Sequence, residues 1–150
     1  MKCEEYWQMY LNDVGGEIAR VCSSCFHFEL TEKLANELLE LVLAGKKKAT
    51  ASSLYSFTLT NEKIPEVGDF HIVTDWAGEP RCVIRTTAVA IIPFNQLTFA
   101  VVCREGEDDD LESWRKGHTR FFQAEGHELG YVFHEDMPVV FEDFIVVHRR

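Results

Sequence analysis

Residues 81–94, RCVIRTTAVAIIPF, are a long run rich in β-branched side chains. Branching at Cβ restricts χ1 against a preceding helical turn and suits a pleated surface, so this run reads as a strand. Its backbone groups need partners, and the rest of the sequence offers them. FHIVTD at 70–75 alternates, with Phe70 and Ile72 on one face, and the turn signals PEVGD (65–69) and WAGEP (76–80) bracket it. ATASS at 49–53 reads as a short strand. PVVFEDFIVVH at 138–148 reads as a strong one, with an irregularity expected at Glu142–Asp143.

Helical periodicity lies outside this strand-rich middle and end. In residues 31–44, TEKLANELLELVLA, the side chains Leu34, Ala35, Leu38, Leu39 and Val42 share one face. Thr31 is placed to cap the start, and Gly45 suits the left-handed position just past the end. Residues 111–122 repeat the pattern through Leu111, Trp114, Arg115, His118, Phe121 and Phe122, with Asp110 as cap. Residues 4–12 read as a short aromatic-rich helix ended by Gly15–Gly16, whereas SSCFHFEL at 23–30 fits no one element well. Helices early and late with strands between them predict an α+β fold with a mixed or barrel-like sheet rather than alternating βαβ units.

The 150 residues suit one domain, and the balance of 46% hydrophobic and 27% charged residues is ordinary for a globular chain. No apolar run is long enough to span a bilayer, and MKCEEYWQMY has acids where a signal peptide carries positive charge. The expectation is a cytoplasmic protein with no membrane partner. Five cysteines (Cys3, Cys22, Cys25, Cys82, Cys103) without a secretion signal imply reduced thiols. CSSC at 22–25 has the spacing of half a zinc site, but no second half and no thioredoxin-like context accompany it. No cofactor or metal motif is evident, and no phosphate-binding or nucleophile-elbow signature occurs. The formal charge of −10 opposes nucleic-acid binding by bulk electrostatics, while leaving room for a small positive pocket.

Two stretches carry chemistry. AGKKKATASSLY (44–55) gathers Lys46, Lys47 and Lys48 at a helix C-terminus, followed by Thr50, Ser52 and Ser53. Cations there complement the helix dipole, which alone accounts for a solvated loop. Crowding and partial burial also lower a lysine's pKa, which suits a base, a nucleophile or an anion clamp. In an extended segment 50 and 52 point one way, and small residues leave room for a ligand. CREGEDDDLESW (103–114) packs five acids between Glu105 and Asp110. Acids collect at helix starts, but one turned inward to meet the lysines would form a proton-shuttling pair. His118 on an apolar helix face reads as a core residue, and His127 and His134 have no metal-ligand spacing.

The blocks ELLELVLAGKKKATASSLY, VGDFHIVTDWAGEPRCVIRTTAV, FAVVCREGEDDDLESWRKGH and FEDFIVV, in this order over about residues 25–148, resemble the ASCH domain of the PUA-like superfamily. EYWQMYL fits the N-terminal extension of its longer bacterial members, over residues 1–24. The resemblance implies an α+β, PUA-like mixed β-barrel of about five to six strands with flanking helices and a lateral cleft. It also implies action on RNA or modified nucleosides. One branch removes acetyl from N4-acetylcytidine with the lysine and threonine of G-x-K-x-x-T and a later glutamate. That motif matches Gly45, Lys47 and Thr50, with Glu105 as the glutamate and Glu107 as the alternative. In the implied chemistry Lys47 takes a proton from Thr50 or water and Glu105 protonates the leaving amine, while Lys46 or Lys48 offsets oxyanion charge. Ser52 shares the extended segment, and Tyr55 or Trp76 offers a stacking surface for a base. Arg85 and Arg115 are anion contacts in this scheme, though each alone reads as a solvated cation. The expected partner is a modified nucleoside or single-stranded RNA. A ribonuclease and a non-catalytic RNA-binding module remain the competing readings, the latter needing an extended basic groove that the charge disfavours.

Overall fold

The computed structural model describes residues 1–15 and 20–149. Gly16, half of the expected stop to the first helix, lies outside the described residues. The long β-branched run becomes β4 (Pro80–Pro93), and the C-terminal run becomes β5 (Pro138–Arg149). The two pair antiparallel from Cys82↔Arg149 to Pro93↔Pro138 and form the spine of the sheet. β3 (Phe70–Thr74) runs antiparallel on the other side of β4, and β1 (Cys22–Phe26) runs parallel to β3. β2 (Ala49–Ser53) pairs antiparallel with β5, which gives the order β1-β3-β4-β5-β2. The fold is therefore α+β with five strands in one mixed sheet. No ladder joins β1 to β2 among the described residues, so the expected barrel is not closed by hydrogen bonds. Residues of both end strands nevertheless line one common cavity, so the sheet bends in a barrel-like way around it.

The segment that resisted assignment, SSCFHFEL, supplies β1, a short strand on the sheet edge. The irregularity expected at Glu142–Asp143 is displaced: these two residues pair in step with Val89 and Ala88, and the extra residue lies in β4 between Thr86 and Ala88, opposite the Asp143–Phe144 step. β3 is covered on both faces, which its alternation did not predict. Ile72 packs beneath Tyr6 and Tyr10 of α1 (Cys3–Asp13), while Val73 faces Leu39, Val42 and Leu43 of α2 (Glu32–Leu43). A third cluster joins Phe141 and Met137 to Trp114 and Phe122 of α5 (Leu111–Leu129).

Thr31 caps α2 by accepting from the Leu34 amide, and Asp110 caps α5 by accepting from Ser113. α5 continues to Leu129, beyond the end at residue 122 that its apolar face suggested. Two short helices went unread: α3 (Leu54–Leu59), capped by the Ser53 hydroxyl, and α4 (Phe99–Val102), which passes into a 3-10 turn at Cys103–Glu105.

The expectation of five reduced thiols is corrected. Cys25, at the exposed edge of β1, is joined to Cys3 at the start of α1, while Cys22, Cys82 and Cys103 are free. A bulge between Cys22 and Ser24 sets Cys22 opposite Phe70 and Cys25 opposite Ile72, and the Cys25 sulfur is taken by Cys3, so the pair does not serve as a metal half-site.

Phe122 is fully buried against Phe94, Phe133 and Phe121. Phe122→Ala is expected to cost about 3–5 kcal/mol, read as a lowered urea midpoint with an unchanged slope.

Candidate active site

The C-terminus of α2 builds one wall of the site. Gly45 adopts the left-handed conformation (φ 76°), and the Leu41 carbonyl accepts from both the Lys46 and Lys47 amides. The chain then enters β2 in an extended course, so successive side chains alternate. Lys47 turns inward and is 2% exposed, while Lys46 and Lys48 stay in solvent.

The acidic turn lies directly against this wall. The Lys48 amide donates to the Arg104 carbonyl (2.9 Å), and Gly106 sits at φ 68°. A Cβ at Gly106 would fall 2.1 Å from the Lys46 carbonyl oxygen, so only glycine lets the two backbones approach this closely. Glu105 and Glu107 are thereby aimed at Lys47. The ammonium donates to Glu105 Oε2 (3.0 Å), Glu107 Oε2 (2.6 Å) and the Ala49 carbonyl (2.8 Å). All three of its protons are engaged.

Helix α5 completes the network. Trp114 Nε1 donates to Glu105 Oε1 (2.7 Å), and His118 Nε2 lies 3.1 Å from the same oxygen. His118 Nδ1 donates to the Trp114 carbonyl (2.9 Å), and the two rings stack with centroids 4.0 Å apart. With Nδ1 engaged as a donor, the Nε2 contact to a carboxylate requires the imidazolium. Burial opposes that charge, but Glu105 outweighs it and raises the His118 pKa.

Two adjacent carboxylates thus receive opposite treatment. Burial alone would raise Glu105, but Lys47 and His118 outweigh it and hold it ionised well below the usual range. Glu107 lacks the Trp114 and His118 donors. Burial, together with the neighbouring charge on Glu105, lifts it to about 7 despite Lys47. Lys47 itself is raised, because the two carboxylates outweigh its desolvation. This corrects the expected lowered lysine pKa: the crowding does not occur, since Lys46 and Lys48 point away.

These groups line a cavity of about 310 Å³ together with Thr50, Phe28, Glu29, Asp108, Arg120 and Phe121. The structure thus brings Lys47, Thr50, Glu105 and Glu107 to one cavity, and both glutamates face it. Ser52 lines an adjoining cavity of about 730 Å³, which shares Phe28, Glu29, Thr50, Ala51 and Phe121 with the first. The other expected binding residues lie outside the lining of either cavity. Tyr55, on α3, bonds His134 and packs on Tyr131. Trp76 sits in the β3–β4 turn beside His27. Arg85 points outward from β4, and Arg115, next to buried Trp114, faces away from the core. Phe28, His118, Arg120 and Phe121 were not read as site residues. The signal for His118 was its i, i+4 spacing from Trp114, which puts both side chains on the same helix face.

Glu105, Glu107 and His118 offer three ligand atoms within 4.8 Å of one another, a set able to hold a metal ion. The Lys47 ammonium already stands between the two carboxylates, so a metal there would have to displace it.

The ASCH domain model matches residues 24–148. The chain belongs to the ASCH domain family. The crystal structure of an ASCH domain from Lactobacillus crispatus JV V101 superposes with a TM-score of 0.89 at 36% identity, over 97% of this chain and 94% of that one. A protein of Enterococcus faecalis V583 superposes equally well at 32% identity, over 97% of this chain and 88% of its own. A comparison with curated proteins found no match. This ASCH chain has no helix, among the described residues, long and apolar enough to cross a membrane.

Replacing Lys47 by methionine leaves Glu105 and Glu107 buried without their shared cation. Lys47→Met is expected to cost about 3–5 kcal/mol at pH 8. The sign of the pH effect follows from Glu107, whose folded pKa of about 7 exceeds its ordinary 4.5. Its contribution is full below pH 4.5 and is lost as pH rises through 7. Removing the ammonium raises both carboxyls further, so the defect is smaller at pH 5 than at pH 8. Urea denaturation at the two values checks this.

Proposed function

We propose that the 310 Å³ cavity hydrolyses an amide on a small modified nucleoside, of the N4-acetylcytidine type. The observation that carries this reading is the buried Lys47–Glu105–Glu107 cluster, in which one carboxyl is held near neutrality beside a fixed ammonium. The cavity volume lies at the small end of ligand sites and suits a nucleoside better than a strand. The net charge of −10 likewise favours a monomeric ligand over a polyanion.

Amide hydrolysis needs a base for the attacking oxygen, stabilisation of the oxyanion and a proton for the leaving nitrogen. Glu107, with a pKa of about 7, is matched to both proton steps. As carboxylate it accepts a proton from water while the water oxygen bonds to the carbonyl carbon. As acid it returns that proton to the nitrogen as the C–N bond breaks, releasing acetate and the amine. Lys47 stays charged throughout. When Glu107 is protonated its hold on Lys47 weakens, and an N–H is released toward the oxyanion at the moment negative charge develops. Glu105, pinned by Trp114 and His118, keeps the ammonium in place. Thr50, on the same cavity wall, positions the water. Phe28 and Phe121 provide apolar walls for the base.

The test is release of cytidine from N4-acetylcytidine by the purified protein. Turnover is expected to rise through pH 7 as Glu107 ionises. Glu107→Gln and Lys47→Met are expected to lose about 100-fold or more. No cytidine release by the wild type between pH 5.5 and 8.5 overturns the reading.

A further inference from the structure

The larger cavity, of about 730 Å³, has a different character from the catalytic one. Its lining carries the carboxylates of Glu29, Glu62, Asp69, Glu125 and Glu142 against a single lysine, Lys63. That lysine is already paired with Glu66 at 3.3 Å. Phe28, Phe57 and Phe121 add aromatic surface to the same wall.

A second observation is independent of this charge. His71 is buried on β3 and lines the cavity. Its Nδ1 meets the Ser24 hydroxyl at 2.7 Å. Its Nε2 is buried with no hydrogen-bond partner, 3.4 Å from Glu142 Oε2. Glu142 in turn accepts from Thr86 Oγ1 at 2.5 Å on that same oxygen. With Nδ1–H donating to Ser24, the Nε2 lone pair and the Glu142 carboxylate are two adjacent acceptors, and a ligand N–H completes the set that would otherwise cost free energy. Burial also pushes Glu29, Glu125 and Glu142 above the usual carboxyl range. Lys47 and His118 lower Glu29 in part, but no cation of the chain is among the causes acting on Glu125 or Glu142.

Spread carboxylates and aromatic walls together select the ligand. A metal ion needs several ligand atoms converging within a few ångströms, and the one such set among the described residues is Glu105, Glu107 and His118. The acids of the larger cavity form no such set. An organic cation satisfies them instead, because its charged head reaches a carboxylate while its apolar stem covers the rings. We propose that this cavity is a binding site for a small organic cation, an ammonium or guanidinium on an apolar stem. Glu142 takes the head and Phe57 and Phe121 take the stem. The proposal does not depend on the amide chemistry next door.

The experiment is calorimetric titration of the intact protein with hexylammonium and hexylguanidinium, with 1-hexanol as the neutral counterpart. The cations are expected to bind with Kd of about 1 mM or tighter, and hexanol at least about tenfold more weakly. Glu142→Gln keeps an acceptor for Thr86 and is expected to weaken the cations about tenfold. Glu62→Gln, at an exposed position, is the second variant, and a weaker loss of about threefold is expected there. Equal affinity for hexanol, no heat from either cation at about 10 mM, or cation binding unchanged in both variants overturns the proposal. Cytidine release in the catalytic assay is read separately, so failure of one reading leaves the other standing.

Discussion

The structure around the site depends on one buried ammonium. Lys47 is almost wholly removed from water, and its three protons end on Glu105, Glu107 and the Ala49 carbonyl. Through them the α2–β2 junction is joined to the acidic turn. Glu105 carries the connection onward to Trp114 and His118, and so to α5. A buried charge of this kind adds little to stability compared with an apolar replacement of equal shape, yet removing one partner leaves the rest uncompensated. Its value is therefore positional. It places two carboxylates, one imidazole and one ammonium at a cavity wall with little freedom to move.

The asymmetry between the two glutamates follows from donor arithmetic. Glu105 receives Lys47, the indole N–H and the imidazole, and is held as an anion. Glu107 shares Lys47 and stands beside that anion, so its proton leaves only near pH 7. Two carboxyls two residues apart thus acquire different duties, one structural and electrostatic, the other fitted to proton transfer. The shared wall of Phe28, Glu29, Thr50, Ala51 and Phe121 sets this smaller cavity beside a larger acidic one. The larger one is ringed by β1 and β2, the two unpaired ends of the sheet. A PUA-like sheet that stops short of closure leaves such space between its edges.

Much of this was legible along the chain. The period of α2, its Thr31 cap, Gly45 and the β-branched run of β4 are local signals, and each corresponds to a local structure. The lysine and acidic blocks were legible as chemistry, because charged residues gathered beside small ones and a helix start stand out in composition. The edge strand β1 was not, since its polar residues pair on one side only and have no apolar alternation to declare them. Tyr55, Trp76, Arg85 and Arg115 were attractive by residue type, but side-chain direction takes them away from the cavity. His118 was hidden for the opposite reason: an apolar helix face looks the same whether it meets only core or also a cavity.

The sequence by itself determined the helices α1, α2 and α5, the strands β2 to β5 and the family motif. Local backbone geometry sets these, so neighbours in the chain suffice. Tertiary structure decided that 58 positions of chain separate Lys47 from Glu105 yet only 3.0 Å separate their charges. It decided which glutamate is ionised, and that the lysine is raised rather than lowered. Those outcomes depend on burial and on donors delivered by α5, and a pKa is a property of surroundings that no single segment carries.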